Sequence, residues 1–146
     1  MSKKGFTIIE TIFALGIVAS IMVVALPNFI ISKKTTYITS MKEDIKSLSI
    51  LLRNKQLLER DYYKIIGINT LKIEDTNKNG LGENTLLDST SVPISQFNVA
   101  ILKAEKCILN KSIATGFSIE ITNPNVNNYK ITFNTCTDSK IQIIDN

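Results

Sequence analysis

The sequence predicts an α+β chain: a long N-terminal helix laid against a small C-terminal antiparallel sheet. Three patterns carry that prediction. Thr11 to Ser32 is a run of 22 residues without a charge. Ile38, Met41, Ile45, Leu48 and Leu52 then recur at 3-4-3-4 spacing, the stripe of one helix face. The last third alternates apolar and polar residues with a period of two, the pattern of half-buried strands.

The uncharged run comes first. As a helix its 22 residues reach about 33 Å, enough for the roughly 30 Å hydrocarbon core of a bilayer. A secretory signal peptide has an apolar core of only about 7–15 residues, ending at a small-residue cleavage site. This run is longer and passes through Pro27 into further helix, so its removal is not expected. An ordinary signal anchor explains the apolar run but not Glu10, an acid at its edge that needs a partner. Gly16 and Ser20 are small and four apart, a spacing that lets helices approach closely; Gly and Ala are also simply common in membrane helices. Pro27 removes a backbone donor and predicts a kink or local unwinding. Lys33 and Lys34 mark the far interface, and Lys3 and Lys4 the near one, so charge alone does not orient the span.

Past the span, the stripe from Ile38 to Leu52 predicts an amphipathic helix over 35–59, with Lys42, Glu43, Lys46 and Arg53 off the stripe. Packing on the domain's own sheet is its expected use. Leu71 and Ile73 alternate with polar neighbours and suggest a short strand. Asn79-Gly80 is a turn signal. Ser91-Val92-Pro93 reads as a helix entry, and Ile94, Phe97, Ile101, Ala104 and Ile108 repeat the 3-4-3-4 step, which predicts a second helix over 93–108. A strand through Phe97–Leu102 is the competing reading. Phe117, Ile119 and Ile121, then Tyr129, Ile131 and Phe133, then Ile141 and Ile143 alternate with polar residues, giving a meander over 116–144. Asn123-Pro124-Asn125 and Thr137-Asp138-Ser139 break the runs.

The composition bounds the chemistry. There is no His, the usual proton shuttle near neutral pH and the commonest metal ligand. No nucleophile motif, CxxC or phosphate loop occurs, and Glu74-Asp75 would point to opposite faces of a strand. An enzyme is not expected. A net charge of +4 is too small to argue for nucleic acid as a main partner. One loop could hold a cation. Asp75, Asn77, Asn79 and Gly80 match positions 1, 3, 5 and 6 of a calcium loop, with Leu81 and Glu83 at 7 and 9. Position 12, normally a bidentate Glu, is Leu86, so the alternatives are a weak calcium site and a plain hairpin turn. No other cofactor is implied. Cys107 and Cys136, the only cysteines, suit a disulfide if the head lies outside the cytoplasm; two buried thiols are the alternative.

The N-terminal residues resemble a known family. Gly5-Phe6-Thr7-Ile8-Ile9-Glu10, preceded by Lys3-Lys4 and followed by a span, is similar to the leader-cleavage motif of type IV pilins and type II secretion pseudopilins. The resemblance covers residues 3–32 closely and the rest in outline. It implies cleavage after Gly5 by a prepilin peptidase and N-methylation of Phe6. It divides the chain into a 1–5 leader, a 6–32 spanning and filament-core helix, and a 33–146 head. It assigns Glu10 and Pro27 to assembly, with Glu10 pairing with the N-terminal amine of Phe6 on a neighbour. A helix-breaking Gly often precedes the Pro by several residues in that family; here the nearest is Gly16, eleven earlier. Loss of Lys3 and Lys4 would lower the formal charge from +4 to +2. The implied partners are other filament subunits, the peptidase, an inner-membrane assembly platform and, before assembly, lipid. The implied location is the inner membrane with a periplasmic head, and a filament in the periplasm or at the cell surface afterwards. The runner-up is a single-pass anchored binding protein that never polymerises.

Overall fold

A computed structural model describes residues 7–67, 70–74, 85–87, 92–109, 112–137 and 140–145. The chain divides into an N-terminal unit ending at Thr36 and a head beginning at Tyr37.

One helix, α1, is assigned from Ile8 to Glu59. Its start is set by a reciprocal cap. The backbone N–H of Thr7 donates to Glu10 Oε2 at 2.8 Å, and the N–H of Glu10 points back at Thr7 Oγ1 at 3.4 Å. This is a capping box, in which two N–H groups that the first turn leaves without helical partners are satisfied by side chains. The helix continues through Pro27 without interruption. The expected local unwinding is therefore not seen; a proline deletes only one ladder bond. Arg60, at φ 58°, ends the helix while its N–H still donates to Gln56 O at 2.8 Å.

In the head, the expected stripe faces inward. Met41, Ile45, Leu48 and Leu52 are fully buried, and Ile38 packs partly against them. A short helix, α2 (Tyr62–Ile66), follows. Asp61 caps it by accepting from Tyr63 N at 2.9 Å, and Gly67 closes it at φ 97°. The sheet has five strands in a simple antiparallel meander: β1 (Leu71–Glu74), β2 (Val99–Leu109), β3 (Ser112–Thr122), β4 (Tyr129–Asn134) and β5 (Ile141–Asp145). Ile73, Ala100, Leu102, Phe117, Ile119, Ile121, Ile131 and Phe133 form its buried face. Tyr62, Phe117 and Phe133 stack in series, with ring centroids 4.8 and 5.7 Å apart. The Arg53 guanidinium lies 5.7 Å from the Phe133 ring centroid. The opposite face is polar and carries the Glu120–Lys130 ion pair at 2.7 Å.

The helix expected over 93–108 is not formed. Residues 92–98 are loop, and 99–109 are β2, so the competing strand reading is nearer and the strand extends further. Val99-Ala-Ile-Leu-Lys-Ala-Glu-Lys favours helix locally. Eleven register pairs with β3 override that preference, and burial follows period two: Ala100, Leu102 and Ala104 are inside, while Lys103 faces solvent. Ser91, the expected cap, lies outside the described residues. The short strand expected at Leu71 and Ile73 is formed as β1 and joins the sheet, which also gains β2 and the start of β3 over the expected 116–144.

Candidate functional site

The residues that sequence singles out fall into two places, the apolar half of α1 and the disulfide edge of the head. In the first, Ile8 to Ile31 project large apolar side chains that nothing in the described structure covers. Ile9 is 78% exposed and Phe13 72%. The helix is long and apolar enough to cross a membrane, and none of its apolar window is buried. In water such a face is costly at about 25 cal/mol per Å².

Polar side chains on this segment turn back onto the backbone. Thr11 Oγ1 donates to Ile8 O at 2.7 Å and Ser20 Oγ to Ile17 O at 2.8 Å. This intrahelical bonding lets hydroxyls sit in an apolar surrounding without unmet donors. Glu10 has two local partners, the N–H of Thr7 and Thr7 Oγ1, the latter at 2.9 Å. The partner that an acid in this position needs is thus supplied, at least in part, by its own chain. Gly16 leaves a notch bordered by Ile9, Ile12, Phe13, Ile17 and Ser20, and a Cβ built on it would meet no atom within 4 Å. At the end of the segment, Lys33 Nζ lies 4.4 Å from the Phe29 ring centroid, which holds a cation beside the apolar surface. Gly5 and Phe6, the expected cleavage and methylation residues, lie outside the described residues.

In the head, Cys107 of β2 is bonded to Cys136 after β4, with Cα atoms 5.0 Å apart. The bond joins β2 to the turn that follows β4 and crosses over β3, which lies between β2 and β4. Gly116 of β3 makes the crossing possible. A Cβ there would collide with Cys107 Sγ and come within 2.6 Å of Thr135 Oγ1 and 2.8 Å of Cys136 Sγ. The sequence reading paired the cysteines but missed this glycine. Its signal is weak: a Gly interrupting a strand otherwise rich in apolar residues.

The calcium candidates Asp75, Asn77, Asn79, Leu81 and Glu83 lie outside the described residues. Among the described residues, no three His, Cys, Asp or Glu side chains gather to hold a metal. One polar cluster was not foreseen. Asp44, buried on the inner side of α1, accepts from Ser95 N at 2.8 Å, Ser95 Oγ at 2.7 Å and Asn98 Nδ2 at 2.7 Å. Asn98 Nδ2 also reaches Ser40 Oγ at 2.9 Å, and Asn123 Nδ2 donates to Asn98 Oδ1 at 2.6 Å.

Comparison with family models, curated proteins and solved structures finds no match to this chain.

Proposed function

We infer that the chain is a structural subunit of a type IV filament, a pilin or a secretion pseudopilin, whose work is assembly rather than catalysis. The observation that carries this reading is the helix α1, on which one uncovered apolar half with an acid at its start and one amphipathic half follow each other without a break. An anchor needs only the first half to be apolar. An acid ahead of it, four residues after Phe6, suits a helix that is first held by lipid and then by copies of itself. In the filament, Glu10 pairs with the amine of a neighbour's Phe6. A buried pair of this kind adds little net stability, but leaving either charge alone is costly, so it selects one register.

The capping box sharpens the test. Glu10→Leu removes both the charge and the cap. Glu10→Gln removes the charge, while Gln still serves in a capping box. The pairing account expects both variants to accumulate in the membrane and both to assemble slowly or not at all, read by shearing and electron microscopy or by crosslinking. Filaments of normal yield from Glu10→Gln would leave Glu10 as a helix cap alone and refute the pairing.

A further inference from the structure

The turn ahead of β2 meets the loop after β3, and together they present an aromatic ring among exposed amides. Ser95 to Asn98 form a tight turn closed by the Asn98 N–H, which donates to Ser95 O at 3.1 Å. Phe97 stands third in that turn at φ 67°. This place ordinarily belongs to Gly, because a Cβ is strained there. Burial does not explain the choice, since Phe97 is 53% exposed. The turn is held from beneath: Asp44 accepts from Ser95 and Asn98, and Asn98 is bound to Ser40 and Asn123 as well. A ring that the fold keeps in a strained conformation without burying it is a presented group, of the kind found at ligand clamps.

Asn123 brings the second segment alongside. Its Nδ2 donates to Asn98 Oδ1 at 2.6 Å, and Thr122 pairs with Val99, so residues 123–128 leave β3 where the turn enters β2. The segment reads Asn123-Pro124-Asn125-Val126-Asn127-Asn128. Asn123 Oδ1 accepts from the Asn125 N–H at 2.9 Å and caps a single 3-10 turn, Pro124–Val126, whose Val126 is buried. The loop is thereby anchored, while Asn125, Asn127 and Asn128 are exposed, as is Gln96 in the neighbouring turn. Among the described residues, the side-chain amides of these four make no hydrogen bond.

These groups select a class of ligand. A pyranose ring offers an apolar C–H face, which stacks on an aromatic ring, and a rim of hydroxyls that donate and accept. An amide carries a donor NH2 and an acceptor C=O, and so meets hydroxyls in both senses; an anion would instead call for Arg or Lys. Of the charged groups at this end of the sheet, Glu74 is paired with Lys72 and Lys130 with Glu120. Asp145, opposite Tyr129, is exposed and adds a further acceptor for hydroxyls.

We propose that the 95–98 turn and the 123–128 loop form a carbohydrate site: the Phe97 ring is the stacking platform, and the amides of Gln96, Asn125, Asn127 and Asn128 bind the hydroxyls of a neutral sugar. The site lies wholly within the head and rests on neither the span nor the filament reading.

The full chain, kept in a detergent without a sugar headgroup, is fluorescently labelled and laid on an array of neutral oligosaccharides built on glucose, galactose, mannose and N-acetylglucosamine, beside sialylated and sulfated ones. The proposal expects binding to a neutral class that the free oligosaccharide competes away. Phe97→Gly removes the ring and relieves the turn, so it should weaken binding about tenfold, the size of one lost aromatic stack, with the melting temperature unchanged or raised. Phe97→Trp keeps a ring and is the only Trp in the chain; it should still bind, and its emission should shift to the blue as the sugar is added. Asn125→Ala and Asn128→Ala leave the turn intact and should each weaken binding, which keeps the test decisive if a Phe97 variant misfolds. Ile108→Ala, toward the other end of β2, should bind as the unaltered chain does. Absence of binding to every neutral sugar overturns the site. Preference for the sialylated or sulfated sugars overturns the neutral assignment. Binding that survives Phe97→Gly and both Asn variants lies elsewhere on the chain and overturns the proposal as well.

Discussion

Gly116 shows how much can hang on one missing methyl. A disulfide between β2 and the turn after β4 has to cross β3, and the crossing leaves no room for a Cβ. Overpacking of this kind costs about 1–3 kcal/mol where the structure can give way. Here the atoms that would have to give are the sulfurs themselves. Gly116→Ala is therefore expected to lower stability by at least that amount and to leave a fraction of Cys107 and Cys136 open to alkylation. Thiol labelling followed by mass analysis reads this directly; a fully bonded Ala variant of unchanged stability would contradict the account. The bond itself closes a loop with a separation of 29 residues, worth roughly 3–4 kcal/mol by the chain-entropy estimate. Cys107 and Cys136 were pairable from the sequence because they are the only two. Gly116 was not, because strand pairing between residues 105 and 116 cannot be read from a local pattern.

At the scale of elements, the first half of α1 was legible because the lack of charge is itself the signal, and the second half because four of its five stripe residues meet a sheet with matching period. The segment from Val92 to Leu109 misled. Ile94, Phe97, Ile101, Ala104 and Ile108 keep helical spacing, yet Phe97 and Ile108 are exposed and only Ala104 of the five is buried. Apolar spacing reports a helix only when that face is the one that packs. The decisive groups were polar. Asp44, of a residue type seldom buried, is buried here and holds the loop in place through Ser95 and Asn98. The helix α2 was also missed, although Asp61 before it and Gly67 after it are recognisable caps. Asp44→Ala removes the acceptor of the Ser95 N–H and Ser95 Oγ and one of the two acceptors of Asn98 Nδ2, and should cost about 1–3 kcal/mol in denaturant unfolding. Glu43→Ala, one residue away and exposed, should stay within about 0.5 kcal/mol. Equal effects from the two would remove the network from the account.

For the whole molecule, the two units ask for different surroundings. The apolar half of α1 is a candidate membrane span whose large side chains are exposed, whereas the head has its own core on α1, α2 and the sheet. A chain lacking residues 1–32 should therefore be a soluble monomer with mixed helix and strand circular dichroism, and precipitation or an unfolded spectrum would place the boundary elsewhere. The central claim is that the membrane form is a precursor of a filament, and it depends on an amine being freed at Phe6. An anchored binding protein needs no such cut. Intact and N-terminal mass analysis of the protein from its host decides between them. The account predicts a mature chain that begins at Phe6 and carries an N-methyl group; a chain in the membrane or filament fraction that still begins at Met1 or Ser2 would contradict it.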